Sequence, residues 1–477
     1  MLLHTGAYLL FLMVVVLAYW LIPTGYRKPF LLIASYGFYA TFDLGFFALL
    51  VAWTLANYLL GRAISGEFHA RPFAWLSVVL NLGVLALFKR ADFFIDSLRH
   101  GFEALGFSSL PAGLELLVPV GISFISFQAI AYTTEIYKKK LEPAALVDFG
   151  IYMAFFPKLV AGPLVRPDNF LSQLKQPATR PDGNVIRAAL GLLLLGLFKK
   201  IVIADSLASL SEVAFRAAAR DTGAALFPSA LFWSGFYLYS FLIYADFSGY
   251  TDMARSSAIL LGFNLPENFR QPYLSENITS FWNRWHMSLT QWFREYLFFP
   301  LSRGLLVRTG RRYARLIQVG VTLTTMTLIG VWHGIAWTFV AWGVWHGLLL
   351  VINQQQSRKL EKRWQKLGMG IITFHLVGIG WVLFGSSSFE AAGRFFHGML
   401  NFSGPAGWEI FVPPVLLSAI LVFSIDLVQG GFVRIPARFQ PAAKPVLVVA
   451  SVVVLICLTV IYQVKGGDAR PFIYGQF

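Results

Sequence analysis

Charged residues are scarce in this chain: Asp, Glu, Lys and Arg make up 13% of its 477 residues, against 57% hydrophobic. A soluble domain carries about 25% charge, so a string of soluble domains is excluded. No polar linker is long enough to separate several domains, and a single membrane-embedded domain over residues 1–477 is expected. Cysteine is nearly absent. The single Cys457 permits no intramolecular disulfide. It lies in the apolar run Val452–Ile461, where aliphatic neighbours disfavour the thiolate, so it is a poor nucleophile. HExxH, CxxC, Walker A, GxGxxG and GxSxG patterns are missing wherever they would carry weight, which leaves no metal site, nucleotide fold or serine-hydrolase elbow to argue for. No internal repeat is visible, and secondary transporters commonly show one. Met1–Ala7 holds no Lys or Arg and no small-residue cleavage site follows, so the first apolar span is expected to remain in the membrane.

Aromatic residues are abundant instead, with 45 Phe, 18 Tyr and 14 Trp, as suits a bilayer protein. The mean hydropathy is +0.63. The formal charge of +15 would suggest nucleic acid in a soluble protein. Here the basic residues fall in short clusters between apolar spans, the pattern of cytoplasmic loops beside anionic lipid, so membrane lipid is the expected partner and nucleic acid is not.

A crossing needs about 20 apolar residues. Candidates are Tyr8–Ile22, Phe30–Tyr39 with Phe46–Leu60, Phe73–Phe88, Leu116–Ile136, Ala189–Ile203 and Leu226–Tyr244. Further along come Leu316–Val331, Trp337–Ile352, Ile371–Phe384, Val412–Val428 and Val446–Tyr462. The fold class is therefore all-α and polytopic, with about 11 transmembrane helices by this pattern and some shorter re-entrant or interfacial ones. Arg27 and Lys28 after the first span place the N-terminus outside.

Two basic clusters fix a hairpin. Arg308, Arg311, Arg312 and Arg315 precede the span from Leu316, and Arg358, Lys359, Lys362, Arg363 and Lys366 follow the span ending at Ile352. With both clusters cytoplasmic, the chain goes in and comes back. At 1.5 Å per residue the turn near Trp332–Gly334 lies roughly 25 Å from the basic end, which sets His333 deep in the membrane.

Three stretches carry polar groups at membrane depth. Asn277–Pro300 holds Asn283, Arg284, His286, Arg294 and Glu295 among aromatics. It reads either as an interfacial helix, with Trp282, Trp285 and Trp292 at the headgroups, or as a segment lining a wet cavity. Gly330–Gly347 holds His333 beside Trp332 and Gly334, and His346 in a second Trp-His-Gly. A membrane histidine is either an interhelical hydrogen-bonder or a proton acceptor; small neighbours suit helix packing and a ligand tunnel alike. In Tyr244–Leu265, Asp246 and Asp252 flank Ser248, Gly249 and Thr251, as at the capped ends of a broken helix. Two carboxylates without a third ligand make no metal site. His4, His69, His100, His375 and His397 have no such surroundings.

Together the segments Leu31–Thr41, Phe155–Arg166 (FFPKLVAGPLVR), Asp246–Asp252 (DFSGYTD), Leu261–Tyr273, Phe281–Leu289 (FWNRWHMSL), Gly330–Phe339 (GVWHGIAWTF) and Pro471–Phe477 resemble the membrane-bound O-acyltransferase family, in its bacterial, alginate-acetylating branch. The resemblance runs over essentially the whole chain. It implies a ring of helices around a central tunnel, and an enzyme that takes an acyl group, acetyl above all, from a thioester such as acetyl-CoA or an acyl carrier, with no bound cofactor. It implies His333 as the buried family histidine, and His286 at a position where many members have Asn. Trp285, Asn283, Trp332, Gly334 and Asp246 are then tunnel residues. It further implies a polysaccharide acceptor, a periplasmic or SGNH-type partner protein, and residence in the bacterial inner membrane. The related transfer of D-alanine to teichoic acid is the alternative; a Ser-Gly-Pro run and Asp-Arg would be expected there in place of Ala161-Gly162-Pro163 and Val165-Arg166.

Overall fold

Inside hydrocarbon an unpaired N–H or C=O costs several kcal/mol, so a lone spanning segment must close its own hydrogen bonds as a helix. The computed structural model describes residues 1–66, 70–104, 118–176, 178–220, 227–334, 336–355, 362–402 and 407–430. Among the described residues every regular element is helical. Leu44–Ser65, Ala70–Phe88, Ala314–His333, Arg363–Gly385 and Trp408–Gln429 are long and apolar enough to cross a bilayer, and Gly6–Leu21 is apolar but shorter. These make the chain a multi-pass membrane protein. Other expected spans fold as helices too short for a full crossing, such as Ile122–Tyr137. Ser229–Leu260 is long, but its aromatic and acidic residues lower its hydropathy. The expected span Val446–Tyr462 with Cys457, the segment Pro471–Phe477, and Arg358 and Lys359 lie outside the described residues.

The chain divides into two compact units, Met1–Leu193 with Met253–Pro266, and Leu194–Asp252 with Glu267–Phe477. In the first, Ile122–Tyr137 is buried on nearly every face, as a helix apolar all round must be. Its Thr133 shares a hydrogen bond with Ser77 at 2.8 Å, and on the neighbouring helices Asn57, Asn81 and Trp53 bond to one another. The FFPKLVAGPLVR segment packs here as well. Lys158 is buried, donates to the Gln128 side chain and the Tyr152 carbonyl, and lies over the rings of Tyr152 and Phe170. Gly162 closes the turn below it, since a Cβ there would stand 2.4 Å from Lys158 Cα.

In the second unit, Ala214, Phe232, Phe236 and Phe395 form an apolar core. The expected apolar span Ala189–Ile203 holds Lys199 and Lys200, both buried, on the π-helical turn Phe198–Ala204. Lys199 pairs with Asp252 at 2.7 Å, and Lys200 pairs with Asp246 at 2.8 Å and Asp205 at 3.0 Å. The break expected near Asp246 is not there: Ser229–Leu260 runs through as one helix. The two carboxylates need no helix end to satisfy them, because the lysines do. Gly249 allows the approach, as a Cβ there would meet the Gly196 carbonyl at 2.8 Å.

The expected hairpin is present as Ala314–His333 and Trp337–Gln355. A Cβ on Gly330 would stand 2.2 Å from the Phe339 carbonyl, and one on Gly343 2.5 Å from the Met326 carbonyl. Glycine thus lets the two backbones touch, the small-residue packing that membranes favour. Arg312 and Lys366 are exposed at the basic ends. With Cys457 replaced by Ser, a cysteine introduced at either position should resist an impermeant thiol reagent applied to intact cells. Strong labelling of one position alone would break the hairpin's assigned orientation.

Candidate active site

The helix Ala314–His333 sets the geometry. Gln318, Thr322, Thr325, Met326 and Ile329 line a partly enclosed cavity of about 310 Å³. Their spacing keeps them on one helical face, and His333, one turn beyond Ile329, continues that face. From Gln318, near the basic end, to His333 the rise is about 22 Å. His333 is 3% exposed and framed by Trp332 at 4.5 Å, Trp342 at 5.2 Å and Phe384 at 5.2 Å between ring centroids.

The opposite wall comes from Asn277–Pro300. Trp282, Asn283, Thr290, Phe293, Arg294 and Phe299 line the cavity. A second cavity of about 310 Å³ shares Trp282, Asn283, Thr290, Arg294 and Phe299 and reaches Met287, the residue after His286. Trp282 and Trp285 are buried, so these two indoles form no headgroup belt. The cavity-lining alternative holds for Trp282 and Asn283.

His286 sits in a left-handed turn with φ 41° and caps the helix Met287–Phe293. It is 1% exposed, with its ring edge-on to Phe247 at 4.7 Å. Its Nδ1 lies 3.1 Å from Asn268 Oδ1. The backbone N–H of Ser288 also points at that atom, at 3.1 Å. A backbone N–H can only meet an acceptor, so Oδ1 is correctly placed and His286 Nδ1 must donate. In the neutral ring the lone pair is then on Nε2.

The indoles of Trp285, Trp381 and Trp342 form a continuous run, at 4.9 Å and 6.0 Å, from the segment bearing His286 to the ring of His333. Of the expected tunnel residues, Asn283 lines both cavities; Trp285, Trp332, Gly334 and Asp246 line neither. Trp285 belongs to the indole run and Trp332 touches His333. Asp246 is held by Lys200. Gly334 lies under the Phe339 ring, where a Cβ would come within 2.0 Å. Gly334→Leu should therefore displace Phe339 from Phe384, which packs on His333, and lower acyl transfer, at a cost of about 1–3 kcal/mol for overpacking. Equal turnover in wild type and variant would show that the His333 frame does not matter to the reaction.

His346 is fully buried against Trp282 and Trp342, at 5.3 Å and 5.0 Å, and neither ring nitrogen has a hydrogen-bond partner among the described residues. Sequence reasoning did not single out Gln318, Thr322, Thr325, Lys199 or Lys200. A signal existed for the first three: they form a polar stripe at helical spacing on a span that ends in His333. Among the described residues no group of His, Cys, Asp or Glu could hold a metal ion.

Residues 11–373 match the family model described as MBOAT, membrane-bound O-acyltransferase family. The chain is 37% identical to a probable alginate O-acetylase of Azotobacter vinelandii, over 80% of this chain and 74% of that protein. It is 32% identical to the probable alginate O-acetylase of Pseudomonas putida, over 98% of each. It is also 32% identical to the peptidoglycan O-acetyltransferase of Helicobacter pylori, over 80% of this chain and 75% of that protein. A polytopic helical fold, a cavity along the face of the helix that ends in a buried histidine, although His333 and His286 themselves line neither cavity, and these matches lead to one conclusion: the chain belongs to the membrane-bound O-acyltransferase family and is an acyltransferase.

Proposed function

We propose that this acyltransferase takes an acetyl group from a thioester on the cytoplasmic face of the bacterial inner membrane and passes it outward for O-acetylation of an exported polysaccharide, alginate or one like it. The observation that supports this most is the cavity along Gln318–Ile329, on the helix face that ends in His333. The donor arm lies along that face with its thioester at the histidine. The cationic Arg294 on the cavity wall suits the phosphate of acetyl-CoA or of an acyl carrier.

The acceptor hydroxyl gives its proton to His333 as its oxygen attacks the thioester carbonyl. The C–S bond breaks as the tetrahedral intermediate collapses, and the imidazolium returns the proton to the leaving sulfur. His286, with its lone pair on Nε2, accepts a hydrogen bond from the donor and so orients it. The framing indoles exclude water, which would otherwise hydrolyse the thioester. The hydroxyl belongs to the polymer or to an SGNH-type periplasmic partner that completes the transfer. Peptidoglycan is the second acceptor class, favoured by the likeness to the Helicobacter pylori enzyme. Acetyl is preferred to D-alanyl because Phe155–Arg166 reads Ala161-Gly162-Pro163 and Val165-Arg166.

The test supplies the purified protein with radiolabelled acetyl-CoA or acetyl-loaded carrier and cell-envelope polymer as acceptor. Thioester loss that depends on the acceptor is expected with one donor. No loss with either donor would overturn the reading.

A further inference from the structure

Successive residues of the segment bearing His286 end their hydrogen bonds on one asparagine. Asn268 Oδ1 accepts from His286 Nδ1 at 3.1 Å, from the Ser288 backbone N–H at 3.1 Å and from Ser288 Oγ at 2.9 Å. Its main-chain carbonyl accepts from the Met287 N–H at 2.9 Å. These bonds brace His286 in its left-handed conformation, which a non-glycine residue seldom adopts unaided. Asn268 is 1% exposed, and its Nδ2 has no hydrogen-bond partner among the described residues. The amide is thus placed for its oxygen alone. It leaves a buried donor unpaired, which native proteins seldom tolerate. Aspartate would offer the same oxygen with no donor left over. It would also set a negative charge against the ring and hold it as imidazolium, a form in which both nitrogens donate and neither accepts.

We propose that Asn268 is the positioning residue that keeps His286 neutral and its Nε2 a hydrogen-bond acceptor, and that asparagine stands there because it cannot be ionised. The inference rests on the reading of His286 as the group that accepts a hydrogen bond from the thioester substrate. Acetyl-CoA and acyl carriers present the thioester on an arm with amide N–H groups. A lone pair on Nε2 can meet one of these, and an imidazolium cannot. Asn268 therefore acts on the reaction through His286.

The experiment first reads the ring directly, by nitrogen-15 NMR of protein carrying labelled histidine. The His286 signal is the one lost in His286→Asn. In wild type Nδ1 should carry the proton and Nε2 should not; in Asn268→Asp both should carry one. Turnover of the acetyl thioester is then compared in Asn268→Asp, His286→Asn and the double variant. Asn268→Asp should raise KM for the thioester about tenfold, the size of one lost hydrogen bond, with kcat changed less. The side chain of His286→Asn still donates and accepts but cannot be charged. In that background Asn268→Asp should change KM by less than about twofold. A wild-type ring protonated at Nε2, alone or together with Nδ1, overturns the proposal, and that spectrum decides even if Asn268→Asp fails to accumulate. An equal loss from Asn268→Asp in both backgrounds overturns it too, by making Asn268 a structural residue only. So does an unchanged KM in Asn268→Asp. A wild type that consumes no thioester overturns the proposed function instead, while the spectrum still decides the state of His286.

Discussion

His333→Ala should lower acyl transfer by a factor of about 10² to 10⁴, the usual contribution of a positioned general base, while the protein still accumulates in the membrane. The imidazole ends the helix whose face carries the cavity, and it is buried among Trp332, Trp342 and Phe384. Truncation also empties some of that aromatic frame, so alanine alone confounds a lost base with lost packing. His333→Gln separates the two, because glutamine fills most of the space and can hydrogen-bond, yet it cannot take up a proton. Both variants should be inactive, and the glutamine variant should melt near wild type. Transfer at full rate by His333→Gln would move the proton acceptor to another residue and make His333 a packing histidine.

Lys200→Met should be the most damaging change to folding itself. Its ammonium is 2.8 Å from Asp246 and 3.0 Å from Asp205, with only 2% of the side chain exposed. Breaking a buried pair costs about 3–5 kcal/mol, because a charge is left without its counterion in a medium that cannot solvate it. That is a large share of the roughly 5–15 kcal/mol by which proteins are stable. The variant should accumulate poorly and melt well below wild type. Replacing a buried pair by apolar groups is often neutral, so Lys200→Met with Asp246→Leu should recover part of the loss, Asp205 still lacking its partner. The double variant also decides what Asp246 does. Acyl transfer per folded molecule close to wild type would give Asp246 a structural role, whereas its loss in a well-folded double variant would return Asp246 to the reaction path. A Lys200→Met protein with wild-type accumulation and melting would show the ion pair to be idle.

Much of the site was legible from order along the chain. The basic residues around Arg312 and Lys366 bracket the hairpin, and counting inward from them puts His333 at its turn, where the first helix ends. The aromatic and polar mixture of Asn277–Pro300 marked a segment too polar to span as a lipid-facing helix. Other assignments failed to follow from order. Asp246 and Asp252 looked like caps of a broken helix because their partners, Lys200 and Lys199, stand 46 and 53 residues earlier in the chain. Those lysines were hidden in a run that counts as apolar on average. Asn283 and Trp285 are near neighbours in sequence, and nothing in that order says that Asn283 lines the cavities while Trp285 packs in the run of indoles.

Composition and residue order were enough for the class and for one local shape: an all-helical membrane protein, a helical hairpin with a histidine at its turn, and a family. Hydropathy, charge and helical rise act residue by residue, so they can be read without knowing any neighbour. Which faces meet was settled only by the folded chain. The backbones touching at Gly330 and Gly343, the lysines reaching Asp246 and Asp252, the lone pair placed on His286 by Asn268, and the wall formed by Trp282 all depend on contacts between different segments of the chain. In a bilayer, helix association rests on close packing and on pairing of polar groups rather than on expulsion of water. Those preferences appear only once the helices are side by side.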